Sequence, residues 1–386
     1  MIGDSRMKST GIRLTIIAFF VLSFVACNDN MGETDTRLSD VKTLIEPLSG
    51  RSIALETSAS AEIYFEWDYA DVNEGGVAVY QIAFDKVDGD FSVPFYRMSS
   101  DNNGFNNNVK ITHKQMNKIA GMAGIKASDT GTFKWTVFSS KGTKAVKSGQ
   151  ENTITITRLA GFEDLPIDVY VTGEGSEGGT DLSKAHKMKA VAGGDFEVYT
   201  KLAGGEPFYF TDGITGSPRR FYTSEGLVKE NGTSTVSTDG IYRITLDFNT
   251  GACTYALVTR IMFYFCPDNA LLFELPYEGY GIFMAKGRTV TFKQESWGRD
   301  ERYKFRMFMK ENGGVGEEKE YEWGTQNSTD SRPTSTSPES YYYLRLINAT
   351  SQWNDKWKLM ADFDGVAANY TVYLQADGPY THSITK

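Results

Sequence analysis

Residues 62–68 read E-I-Y-F-E-W-D, and the apolar side chains of Ile63, Phe65 and Trp67 fall on every second position. A two-residue period turns one face of an extended chain toward a core and the other toward water, so this stretch is a half-buried strand. The same alternation precedes it at Ile53 and Leu55 and follows it over residues 79–84, with residues 73–76 as the turn between the last two. It returns at Phe133, Trp135 and Val137 and in the run TITIT at 153–157. One helix interrupts the pattern. Thr112 and Gln115 make a T-x-x-Q capping box, Met116, Ile119, Ala120 and Ala123 form an apolar stripe of helical spacing, and Gly124 stops it. Composition agrees with strands: 38 glycines, 21 tyrosines, 24 phenylalanines and 13% aromatic residues favour short strands joined by glycine turns. The expected class is all-β, a first sandwich with one short helix followed by two more β-sandwiches.

Ahead of this body the chain opens differently. Arg6, Lys8 and Arg13 precede or begin an apolar run over residues 14–25, which is short for a membrane-spanning helix and is followed by polar sequence. Phe24, Val25 and Ala26 before Cys27 resemble a lipobox, which predicts a leader over residues 1–26 and lipidation of Cys27. Residues 27–40 are polar, acidic and aperiodic, and are expected to form a flexible leash. The formal charge of −9 argues against nucleic acid and against a basic face lying on anionic lipid. Beyond Cys27 only Cys253 and Cys266 remain; a bridge between them is possible in an oxidising compartment, and two buried free thiols are the plainer reading.

The first domain is expected over residues 41–160. Within it, PLSG at 47–50, FEWD at 65–68, FDK at 84–86, GDFS at 89–92, SDNNG at 100–104, TH at 112–113, MNKIA at 116–120, KWTV at 134–137, SSKGT at 139–143 and ITITR at 154–158 follow in order. These segments resemble the N-terminal domain of SusE/SusF-type lipoproteins, the surface glycan-binding lipoproteins that accompany outer-membrane polysaccharide-uptake systems. The resemblance implies an immunoglobulin-like spacer first, sugar binding in the sandwiches that follow, and no catalysis or cofactor. It also implies an outer-membrane protein anchored by lipid on the extracellular face. Its partners would be a polysaccharide, a TonB-dependent transporter and a companion glycan-binding lipoprotein. Asp29, Glu33 and Asp35, just behind Cys27, resemble the export signals of such proteins.

The later chain keeps the pattern with looser resemblance. Residues 167–172, 196–200, 207–211 and 241–248 are short strands set off by glycines, predicting a second sandwich over 161–258. Residues 259–386 predict a third, with strands near 289–293, 303–309, 341–347 and 369–374 and an exposed Ser/Thr/Pro-rich loop at 327–340. The two could be degenerate copies of one module.

Sugars show patches of C–H on one face and hydroxyls at the edge, so a site needs an exposed flat ring and fixed polar groups. Trp67 and Trp135 lie on alternating strands and are expected in the core. Trp297, Trp323, Trp353 and Trp357 sit in ESWGRDER, EYEWGTQN and SQWNDKWK, polar or turn-like contexts that make them candidate platforms. Trp357 leads into an apolar strand and so has the strongest claim to a packing role. Arg299, Gln326, Asn327, Asn354 and Asp355 are the candidate polar partners. Tyr277, Tyr280, Tyr341 and Tyr343, and in the second module Phe208, Tyr209, Arg219, Arg220 and Tyr222, are weaker candidates, since most rings of a tyrosine-rich β protein pack inside. His113, His186 and His382 are far apart and fit no zinc or triad spacing, so no metal or catalytic histidine is expected. The rival readings are a surface endo-glycosidase, which needs only two carboxylates, and an adhesin or scaffold without a sugar site.

Overall fold

The computed structural model describes residues 38–58, 60–72, 76–326, 331–348 and 351–386. The leader, Cys27, the start of the leash and Asn327 lie outside them. Strands dominate, as expected of an all-β chain, and they enclose three hydrophobic cores.

The first core lies between two sheets. One joins Leu44–Glu46, Glu62–Trp67 and Asn108–Thr112; the other runs Arg51–Ala54, Asn152–Thr157, Thr130–Lys141, Val79–Asp85 and Tyr96–Ser99. The alternation of the sequence becomes alternating burial, with Ile63, Phe65 and Trp67 inside and Glu62 and Tyr64 outside. Phe65 meets Trp135 of the opposite sheet edge-on, centroids 5.1 Å apart. The helix His113–Met122 forms where the capping box predicts, with the Thr112 hydroxyl accepting from the Gln115 N–H at 3.2 Å. The leash is shorter than expected at its far end. Leu38 is buried in this core and bridges to Val72, because its apolar side chain is placed where the sheet can cover it.

The second core lies between Tyr170–Thr172, Tyr209–Thr211, Arg220–Ser224 and Leu227–Glu230 on one side and Asp195–Leu202, Gly240–Asp247 and the start of Ala252–Phe265 on the other. Phe221 and Phe248 close it edge-to-face at 4.9 Å. The strand Ala252–Phe265 then continues without a break. Its second half pairs with Ala270–Glu274 and Arg302–Lys310, and that sheet extends through Glu318–Thr325 to Leu344–Asn348. Opposite it lies a sheet of Tyr277–Gly279, Ile282–Thr289, Ala367–Tyr373 and Thr381–Thr385. Position 258, expected as a boundary, therefore falls within one 14-residue strand that serves both later cores.

Two local expectations are corrected. Residues 289–293 do not form one strand: Thr289 ends one strand and Lys293 begins another, and between them Val290 and Phe292 point inward while the Val290 carbonyl and Phe292 N–H bond to Gly365 and Asp364 in a loop. Cys253 and Cys266 are both free. They sit on and just past one extended strand, on the order of 40 Å apart along the chain, so no bridge can form. Burial pushes the Cys253 thiol up to about 11 and the Cys266 thiol to about 12.

Candidate functional site

The strands Lys293–Glu295 and Gly298–Asp300 pair as a tight hairpin whose two loop residues are Ser296 and Trp297. Gly298 follows with φ of +139°, a backbone angle that a side chain would strain, and the turn throws Trp297 outward, 65% exposed. Trp353, in the loop before Trp357–Lys358, is 41% exposed. The guanidinium of Arg302 joins them. Its central carbon lies 4.2 Å from the ring centre of Trp353 and 5.7 Å from that of Trp297. Cations over indole faces are held there by the ring quadrupole.

Beside Trp297 opens a concavity of about 300 Å³, lined by Arg299, Asp300, Glu301, Arg302, Arg332 and Lys358. Arg302 donates through Nε to Asp300 at 2.8 Å, and Arg332 grips both oxygens of Glu301 at 2.9 and 2.7 Å. Arg299 donates through Nε to Asp364 at 2.8 Å, and this bond, together with the Arg299 charge, holds the Asp364 carboxyl below its usual range despite burial. The rim is thus a set of arginine–carboxylate forks around two exposed indoles.

Of the residues expected at a site, Trp297 and Arg299 line this concavity and Trp353 reaches it through Arg302. Trp323 and Trp357 do not belong to any ligand surface. Each is 1% exposed in the third core, Trp323 against Tyr199 and Tyr380, and Trp357 with its indole N–H bonded to the Tyr341 carbonyl at 2.8 Å. The reason is register: Trp323 lies opposite Phe305 in the sheet, on the face that turns inward, although charged residues precede it in sequence. Asn354 is exposed in the Trp353 loop. Asp355 is ion-paired with Arg345 of the edge strand, and Gln326 caps the Leu344 carbonyl at 2.9 Å, so both serve the fold. Tyr341 is buried, and Tyr277 and Tyr280 bond to Glu177 at the junction of the second and third modules. In the second module Arg219 is tied to Asp212, Arg220 stacks on Tyr209, and Phe208 is core. Arg302, Arg332, Asp300, Glu301 and Lys358 were not foreseen as site residues; the dense charge of E-S-W-G-R-D-E-R around a turn was the available signal.

Two other hollows carry less. One of about 440 Å³ is lined by hydroxyls such as Thr223 and Thr235 with Val315, and one of about 570 Å³ lies between the helix and the second module; neither is lined by a tryptophan. Among the described residues no group of three or more His, Cys, Asp or Glu is placed to hold a metal ion.

Comparison with known proteins bears on the first part of the chain. The family model described as "SusE outer membrane protein" matches residues 29–138. Among solved structures, SusF from Bacteroides thetaiotaomicron is similar at 13% identity, covering 90% of this chain and 76% of that one with a TM-score of 0.26. No curated protein gives a significant match. The match spans the segments from PLSG to KWTV in which the likeness was read, while SSKGT and ITITR lie beyond it: residues 29–138 of this chain are similar to the SusE outer membrane protein family.

Proposed function

We propose that this chain is a non-catalytic, lipid-anchored glycan-binding protein of the outer-membrane surface, which captures polysaccharide for an uptake system. The observation that carries the reading is the pair of exposed indoles, Trp297 and Trp353, bracketing Arg302 at the edge of a polar concavity. A flat ring open to solvent costs little to bring against the C–H face of a sugar, and the surrounding forks supply fixed donors. The SusE-type region supports the setting: a transporter with a companion lipoprotein as partners, Cys27 as the anchor, and the first domain as a spacer between the membrane and the binding module. Single contacts of this kind give a Kd on the order of 10 μM to 1 mM, about −7 to −4 kcal/mol, and repeated units on a long chain add to it. Hydrolysis is less well supported, because the two carboxylates lining the concavity, Asp300 and Glu301, are both engaged by arginines.

Affinity electrophoresis against a panel of polysaccharides tests the reading. At least one should retard the mature protein, and Trp297→Ala and Trp353→Ala should each lose that retardation with thermal melting unchanged. A panel without retardation, or both variants binding like the parent, would overturn it.

A further inference from the structure

The chain is acidic as a whole, with a formal charge of −9, yet the concavity beside Trp297 is lined by Arg299, Arg302, Arg332 and Lys358 against Asp300 and Glu301. Burial separates the two signs. The side chains of Asp300 and Glu301 are 2% and 4% exposed, while those of Arg299 and Arg332 are 41% exposed each. The carboxylates lie behind and the guanidinium groups lie in front.

The hydrogen bonding sharpens this asymmetry. Arg299 and Arg332 each commit Nε and Nη2 to a carboxylate, to Asp364 and Glu301 respectively. A guanidinium has five N–H groups in a planar fork, so each keeps its Nη1 hydrogens for a further acceptor. A neutral sugar hydroxyl is recognised best by a donor and an acceptor together, and here the carboxylates that line the concavity, Asp300 and Glu301, are covered, and they and Asp364 are already engaged by arginines. A carboxylate or sulfate offers only acceptors. It also matches the fork geometry, and its charge-assisted bonds are roughly twice as strong as neutral ones. Trp297 and Trp353 flank Arg302 and shield that cation from water on two sides, which strengthens its attraction for an anion.

Resting on the glycan-binding reading above, we propose that this concavity selects acidic glycans: a sugar ring stacks on Trp297, and its uronate carboxylate or sulfate ester is bound by Arg299, Arg332 and Lys358. Selection follows from charge at the site set against an acidic surround, which repels anionic chains wherever the concavity is not engaged.

The test runs affinity electrophoresis of the mature protein with polygalacturonate, alginate and chondroitin sulfate beside amylopectin, xyloglucan and galactomannan. Methyl-esterified polygalacturonate and desulfated chondroitin separate a carboxylate from a sulfate as the anion read. An acidic polymer should retard the protein most. Its Kd should rise at least tenfold between 50 and 300 mM NaCl, and removing the anionic substituent should abolish the effect. The Arg332→Gln/Lys358→Gln double variant should lose at least fivefold in affinity while near-ultraviolet circular dichroism shows it folded at the assay temperature. Retardation by neutral polymers alone, or equally with and without the anion, overturns the acidic preference and leaves the glycan-binding function standing. Acidic binding that survives Trp297→Ala overturns it as well, since charge alone would then suffice. No retardation by any polymer sinks both.

Discussion

Trp297 and Trp323 show how much a single side chain's neighbours in space differ from its neighbours in sequence. Each has a glutamate within the two residues before it and a glycine after it, yet Trp297 is thrown out by a two-residue hairpin and Trp323 is sealed against Tyr199 and Tyr380. A periodic strand could be recognised around Trp67 because three alternate positions agree; around Trp323 the face away from the core carries Glu320 and Glu322, and nothing in the local sequence signals that Glu322 is fully buried there. His382 is a second residue whose environment matters. It is buried, its Nδ1 donates to the Tyr342 carbonyl at 2.9 Å, and its Nε2 accepts from the Tyr303 hydroxyl at 2.7 Å. Burial pushes its pKa down to about 3, against the raising effect of the bond to Tyr342. The folded imidazole therefore stays neutral where the unfolded one takes a proton near 6.5. Its contribution is complete above that pH and declines as pH falls toward 3, reaching a loss of about 3 kcal/mol at pH 4.5. Urea midpoints at pH 7.5 and 4.5 check this. His382→Gln should be less stable than the parent at pH 7.5 and should lose less on acidification; an equal acid loss in both proteins counts against the assignment.

The strand Arg302–Lys310 carries two kinds of cargo on its two faces. Tyr303, Phe305, Met307 and Met309 enter the third core, and the other face presents Arg302, Lys304 and Arg306. Lys304 is fully buried, with its ammonium donating to Glu322 at 2.8 Å and to the Ser351 carbonyl at 2.7 Å, and Arg306 pairs with the other oxygen of Glu322 at 3.1 Å. The Ser351 contact fastens the loop that displays Trp353 onto this strand. Removing Lys304 leaves the buried Glu322 short of one of its two cations, with Arg306 still in place, so Lys304→Met should cost up to about 3 kcal/mol, whereas Lys304→Met with Glu322→Leu should recover part of it. Chemical denaturation of the three proteins reads this directly, and a double variant no better than the single would show that the pair is not a unit. Charged letters inside a strand hid this arrangement from the sequence, which gives no sign that a loop will cover them. The alternating core strands and the capped helix were legible because each is fixed by its own residues. The segment at 290–292 looks like the middle of a strand in sequence because its apolar residues alternate, while its backbone bonds go to the loop at 364–365. Element type is settled by main-chain partners, and those are distant.

Across the whole molecule, the second and third cores are joined by more than the strand Ala252–Phe265. Tyr199 of the second module packs in the third core, and Glu197 accepts from the Tyr380 hydroxyl at 2.8 Å while pairing with Arg243. The densest link is Glu177. Its carboxylate accepts from Thr200 at 2.7 Å, from Tyr277 at 2.7 Å and from the Tyr280 N–H at 2.8 Å, and it pairs with His186 at 3.0 Å. Burial alone would raise its carboxyl, but the bonds from His186, Tyr280, Thr200 and Tyr277 outweigh it and bring the pKa down to about 2. Because the folded value is depressed from 4.5, the stabilisation is present above that pH and is lost as pH falls toward 2; at neutrality it amounts to about 3 kcal/mol. Shared strand and shared carboxylate together are expected to make the two modules unfold as one cooperative unit, with the Trp297 concavity held at a fixed angle to the second module. Hydrogen exchange in increasing urea can follow amides of Asp195–Leu202 and of Ala367–Tyr373 separately. In the parent protein at pH 7 the two sets should open at one midpoint. In Glu177→Gln the midpoints should fall and separate, and the parent at pH 3 should move toward that behaviour while the variant shifts less. Separate midpoints in the parent at pH 7 would mean that the modules unfold independently in spite of the strand they share.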